Sequence, residues 1–231
     1  MAHLKLFLLI IALFIVLAIE SMADTGLEIG RMRVAIWPEY DSSGVLFIYD
    51  GRFKDQGNFP TDTVFYIPAN SSISDACSLS PKGQHFCQLY TQTKEGDFDA
   101  VRLKLPYPNF YLSFHTEPFD LKNEKMGYTT QRALTHVIKA NHKIEKLEVD
   151  VQSPLRAEGF TVLSPEGFTV TEKKGFAHYQ GSFEDIERGR AIEVSFEYIK
   201  KDSRPSVDIK YSPGEMVPAK DAPFGVKGFA R

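Results

Sequence analysis

From residue 27 onward, apolar and polar positions alternate in short runs and turn residues separate them. Arg31 to Trp37 places Met32, Val34 and Ile36 on one side, and Pro38 stops the run. Val45 to Tyr49 is nearly continuous apolar and ends at the turn pair Asp50-Gly51. Thr63 to Pro68, Phe86 to Thr93 and Phe98 to Leu105 read as further strands. After the break at Pro106-Tyr107-Pro108-Asn109, Phe110, Leu112 and Phe114 line one face, with Tyr111, Ser113 and His115 on the other. Proline within or at the end of such runs marks strand ends or edges, because it cannot donate to the ladder.

A second series follows the polar stretch Asp120 to Thr130. Ala133 to Ala140 carries Leu134, His136 and Ile138 on one face, and Leu147, Val149 and Val151 alternate with charged residues up to Pro154. Phe160 to Leu163, Phe168 to Thr171 and Ala177 to Tyr179 are short strands between turns, and Phe183 to Arg188 reads as a helical turn or a loop. Ile192, Val194, Phe196 and Tyr198 give the cleanest alternation, and Val207 to Tyr211 a last short strand. This rhythm predicts an all-β chain of two tandem antiparallel β-sandwiches, over residues 27–119 and 131–212, with one larger sandwich of about fourteen strands as the alternative. Residues 213–231 are rich in Pro and Gly and read as a flexible tail.

The first 23 residues follow a different pattern. Lys5 precedes an uncharged apolar run from Leu6 to Ile19, and Ser21-Met22-Ala23 offers the small residues that a signal peptidase inspects. The run has 14 residues, short of the roughly 20 that a spanning helix needs. The reading is a signal peptide over residues 1–23, cut before Asp24, with an uncleaved anchor as the alternative. It places the rest of the chain in the periplasm or outside the cell.

Composition narrows the function classes. The chain is 43% hydrophobic and 25% charged, ordinary values for a globular protein. A formal net charge of −3 supplies no excess of cations for a phosphate backbone, so nucleic acid is not expected as a partner. The two cysteines, Cys77 and Cys87, flank a segment centred on Pro81-Lys82-Gly83. A three-residue hairpin loop there pairs Leu79 with His85, Ser78 with Phe86 and Cys77 with Cys87, and an export compartment lets the bond form. Closing so short a loop contributes at most about 3 kcal/mol.

The search for catalytic motifs is mostly negative: there is no G-x-S-x-G elbow, no H-E-x-x-H, no Walker loop and no zinc spacing. His85, His115, His136, His142 and His178 show no metal-ligand spacing. No metal and no cofactor is expected. A weaker calcium alternative rests on Asp50, Asp55, Asn58 and Asp62 in one loop. The candidate binding patch is aromatic: Tyr107, Asn109 and Tyr111, with Trp37 and Tyr40 at strand ends. The competing reading is that these rings cap the core and that Trp37 packs inward.

The phrase Val34-Ala35-Ile36-Trp37-Pro38-Glu39-Tyr40-Asp41, followed by Val45 to Gly51, resembles exported bacterial envelope proteins that open on a tryptophan-proline-glutamate-tyrosine-aspartate phrase. The stretch Ile144 to Pro154 resembles their second domain, and the likeness covers residues 30 to 212. It implies tandem immunoglobulin-like sandwiches and brings no catalytic residues. The expected function is a non-catalytic exported protein that binds or scaffolds in the cell envelope, with an envelope protein or a glycan as partner. The alternatives are an accessory subunit of an envelope complex and a glycan- or peptide-directed hydrolase.

Overall fold

The structure is a computed structural model that describes residues 26–119 and 130–207. Residues 1–23, expected as a signal peptide, residues 120–129, and residues 213–231, expected as a tail, lie outside the described residues, as does most of the strand expected at Val207 to Tyr211. All regular structure among the described residues is β: β1 Glu28–Pro38, β2 Val45–Phe53, β3 Thr61–Pro68, β4 Ser72–Leu79, β5 His85–Cys87, β6 Tyr90–Glu95, β7 Phe98–Leu105, β8 Asn109–Thr116, β9 Thr130–Lys139, β10 Lys143–Gln152, β11 Glu158–Ser164, β12 Thr169–Lys173, β13 Phe176–Ile186 and β14 Ala191–Lys200.

These strands form one eight-stranded sheet, ordered β12-β13-β10-β1-β2-β8-β4-β5, and two three-stranded sheets, β11-β14-β9 and β3-β7-β6. Every strand pair is antiparallel except β1 with β10, which run parallel from Glu28–Lys143 to Ile36–Val151. That pair puts strands of both halves of the chain into one sheet. A tandem of immunoglobulin-like sandwiches is therefore not shown.

The alternation read from the sequence sets the layers. Val34 and Ile36 of β1, Phe47 and Tyr49 of β2, Phe114 of β8 and Leu147 and Val149 of β10 are buried on the inner face of the large sheet. The small sheets cover that face. Phe65 of β3 meets Phe110 at 4.7 Å, Phe160 of β11 meets Tyr179 of β13 at 4.9 Å, and the Tyr49 hydroxyl lies 2.7 Å from His136 Nε2 of β9. One continuous core cluster contains residues of all three sheets.

Two local expectations are refined and a third is met. Phe183 to Ile186 is not a helical turn but the end of β13, because Phe183 pairs with Leu147 and Ile186 with Ile144 on the long partner β10. The run Phe86 to Thr93 is two strands: β5 stays on the large sheet, and the chain then crosses at Gln88-Leu89 to pair β6 with β7. The cysteine hairpin has the expected register, with Cys77 opposite Cys87, Ser80 N–H donating to the Gln84 carbonyl at 2.9 Å and Gly83 at a φ of +77°. Cys77 and Cys87 are disulfide-bonded.

Candidate functional site

With its inner face in the core, the large sheet turns its outer face the other way; cross-strand pairing arranges that face in rows, and Ala35, Ile48, Ser113, Asp150 and Cys77 in them are buried. The first row is Lys146, Arg31, Arg52, Asn109 and Leu79. The second is Glu148, Arg33, Asp50, Tyr111 and Cys77, and the third Asp150, Ala35, Ile48, Ser113 and Asp75. In the last, Trp37 pairs with Leu46, Leu46 with His115, and His115 with Ser72.

Charge is balanced at one end and apolar side chains gather at the other. Arg31 and Lys146 both reach Glu148, at 2.5 and 3.0 Å, and Arg33 reaches Asp50 at 2.6 Å. The Arg31 hydrogen bond holds the Glu148 carboxyl below its ordinary range, and Glu148 in turn raises Arg31. Beyond these pairs, Ala35, Leu46 and Ile48 form a second apolar cluster, separate from the core, with Trp37, Tyr40 and Tyr111 packed on it. The Trp37 and Tyr40 rings lie 4.9 Å apart, and Tyr40 approaches Phe176 at 6.0 Å. Burial, then the Asp75 charge, raises the Tyr111 phenol. The Trp37 indole nitrogen is buried with no hydrogen-bond partner among the described residues.

The structure thus brings Trp37, Tyr40 and Tyr111 together on one cluster of the outer face. Asn109 lies further along β8 beside Tyr111, whose ring meets His85 edge-on at 5.2 Å. Tyr107 stands apart, in the turn before β8, against Phe86 at 5.4 Å. The calcium alternative gains no geometry: Asp50 is bound to Arg33, and Asp55 holds its own loop through Gly57 N–H and the Asn58 amide. Asp62 lines a cleft of about 550 Å³ elsewhere, between β3, β7 and the His142 turn. Among the described residues, the one group of three side chains close enough to share a metal is Asp75, Cys77 and Cys87, and both thiols are spent in the disulfide.

The histidines divide by layer. His136 and His142 are buried under the core face, bonded to Tyr49 and Thr63 at 2.7 and 2.9 Å. Burial alone pushes His136 down to about 3. His178 is paired with Asp150 at 3.0 Å, and His115 with Asp41 at 3.0 Å.

Sequence reasoning missed the buried ionic hub at the end of the tryptophan-proline-glutamate phrase. Glu39 is fully buried at a φ of +44°. Its carboxylate is ion-paired with Arg132, whose Nε lies 2.6 Å away, and accepts hydrogen bonds from Lys200 Nζ at 2.8 Å and the Tyr198 hydroxyl at 2.7 Å. Burial and the Glu39 charge together hold the Tyr198 phenol far above its ordinary range. Lys200 also donates to Asp202 Oδ1 and to the Arg204 carbonyl. Burial opposes ionisation of Asp202, but hydrogen bonds from Arg156 and Lys200 outweigh it and hold the carboxyl far down. Ser206 and Val207 N–H groups bond to the Glu39 and Tyr40 carbonyls, so the segment after β14 is tied across the end of β1. A charged residue after a proline carries no local sign of burial, and the signal lay only in its partners.

No protein-family model matches the chain, and no curated protein matches it. Among solved structures, a protein designated a protease from Parabacteroides distasonis aligns with 76% of this chain and 41% of its own, at 9% identity and a TM-score of 0.44. A variant of an M1 zinc metallopeptidase from Deinococcus radiodurans, bound to a Tyr-Ser-Ala substrate, aligns with 74% of this chain and 42% of its own, at 12% identity and a TM-score of 0.45. The chain thus spans about two fifths of the length of the structures it matches.

Proposed function

We propose that this chain is an exported binding or scaffolding protein of the cell envelope, and that the outer face of its eight-stranded sheet is the recognition surface. The observation that carries this reading is the second apolar cluster on the face turned away from the core, where the half-buried rings of Trp37, Tyr40 and Tyr111 lie over the buried Ala35, Leu46 and Ile48. A solvated sheet face normally alternates to polar side chains. Rigid amphipathic rings beside paired charges are the chemistry of a protein-binding surface. The apolar leader and the disulfide support an oxidising compartment, periplasmic or secreted. The partner fitted by a broad, charge-balanced face with an aromatic end is an envelope protein.

The test is capture from a solubilised envelope with the tagged chain, beside Tyr40→Ala and Tyr111→Ala. Recovery of one stoichiometric protein, lost in both variants, supports the reading. Recovery of glycan moves it to a carbohydrate ligand, and equal capture by all three chains removes the face from consideration.

A further inference from the structure

β4 carries one residue more than β8 between two ladder pairs. Ile73 faces Phe114 and Asp75 faces Ser113, which leaves Ser74 as the extra residue of a bulge. A bulge re-aims the side chain it adds, and bulges gather beside active sites. Ser74 is exposed, and its Oγ lies 3.2 Å from His115 Nδ1. On the other edge of the ring, His115 Nε2 lies 3.0 and 3.1 Å from the two carboxylate oxygens of Asp41. An ionised carboxylate only accepts, so the neutral ring keeps its proton on Nε2 and turns the Nδ1 lone pair toward the serine hydroxyl. Asp41 and His115 are largely shielded, at 15% and 26% side-chain exposure, while the serine is open to solvent.

Rigid parts hold the three groups. Asp41 sits in the β1–β2 turn, closed by Glu39 N–H donating to the Gly44 carbonyl at 2.7 Å. A Cβ on Gly44 would lie 2.2 Å from the Thr116 carbonyl oxygen, so the turn reaches the end of β8 only because residue 44 has no side chain. The buried hub on Glu39 fixes the other side of the same turn. Nucleophile, base and orienting carboxylate within hydrogen-bond reach are the signature of an activated nucleophile.

We propose that Ser74, His115 and Asp41 hydrolyse short-chain carboxylic esters. Ser74 Oγ bonds to the ester carbonyl carbon as its proton passes to His115 Nδ1. The bond to the alkoxy oxygen breaks, and Nδ1 returns the proton to the leaving alcohol. Water then attacks the acyl-serine and gives one proton to Nδ1, which passes it to Ser74 Oγ as the carboxylic acid leaves. Ester and water become acid and alcohol, and no other reactant is consumed. His115, though not Ser74, lines a cavity of about 480 Å³ whose walls include Pro68, Phe98, Leu134 and Val137 beside the polar Asn70, Asp97 and Glu117, room for a small acyl group next to the base. Ser74 and His115 are the catalytic residues and Asp41 positions the ring. This goes beyond the binding reading and departs from the expectation of a protein without catalysis.

The experiment uses the purified full chain with p-nitrophenyl acetate and, separately, a fluorophosphonate probe. One equivalent of label at Ser74, mapped by mass spectrometry, is expected, with turnover that Ser74→Ala abolishes at an unchanged melting temperature. His115→Gln should lower kcat by about 10²–10⁴-fold, and Asp41→Asn should lower kcat with KM nearly unchanged. Ser74→Ala should still capture the envelope partner, which separates this result from the fate of the binding face. Label absent from Ser74, or turnover equal in Ser74→Ala and the parent chain, overturns the proposal.

Discussion

Glu39 puts a carboxylate where water does not reach, and it is tolerable there only because Arg132, Lys200 and Tyr198 close around it. Removing one member of such a group leaves the others charged and unpaired. Glu39→Gln should therefore lower stability by about 3–5 kcal/mol, measured by urea unfolding. Lys200→Gln should cost a comparable amount. His136 makes a second residue-scale prediction. Burial holds its folded value near 3 against an ordinary 6.5, so between these values the unfolded chain binds a proton that the folded chain refuses. Stability from this group is complete above the unfolded value and is lost as pH falls toward the folded one, by about 1.4 kcal/mol per pH unit. In His136→Gln the slope between about pH 4 and pH 6 should fall by close to one proton. A slope equal to that of the parent chain would show that His136 takes up its proton without unfolding. At this scale the sequence was half legible. It placed Leu134, His136 and Ile138 on one face, but it could not show that Glu39 meets a lysine 161 residues away.

Strands were legible where one face is buried, because burial on one side enforces alternation. The cysteine hairpin was legible to the residue pair, since Pro81, Gly83 and the two cysteines fix its register locally. The bulge at Ser74 was not, because it is defined by a missing partner on β8 and not by a residue type. Nor was the break between β5 and β6, where the chain changes sheet and β6 is exposed throughout. Of the aromatic patch, sequence named the members that share a cluster but also Tyr107, which belongs to another neighbourhood. Close approach of strands supplies the test at this scale. A Cβ at Gly51 of β2 would lie 2.4 Å from the Arg31 carbonyl oxygen and 2.6 Å from the Phe110 ring. Gly51→Ala must push β1 and β8 aside, so a loss of about 1–3 kcal/mol is expected, read as a lowered melting temperature. Gly96→Ala, in a turn with nothing near the added methyl, should lose less, its cost confined to the positive φ.

For the whole molecule, the decisive contact is the parallel pairing of β1 with β10, flanked by β2 on one side and β13 on the other. Parallel partners need a long crossover, so no local pattern announces them, and two halves of similar strand count read naturally as two units. Chains split within residues 120–129 provide the test. Each fragment alone would present a long apolar edge strand, β1 or β10, and should aggregate. Refolded together they should give a soluble one-to-one complex with the circular dichroism of the intact chain. Soluble, cooperatively unfolding single fragments would instead restore the picture of independent units.

The link from Glu39 to Lys200 also sets an order of events. Synthesis runs from the amino end, so the ribosome must finish nearly the whole described chain before this carboxylate meets its ammonium partner. Until then Arg132 is the one cation of the hub available to it. A message cut short before codon 200 yields a polypeptide whose Glu39 lacks its lysine partner, and it should be degraded faster than the whole chain, as pulse-chase labelling would read.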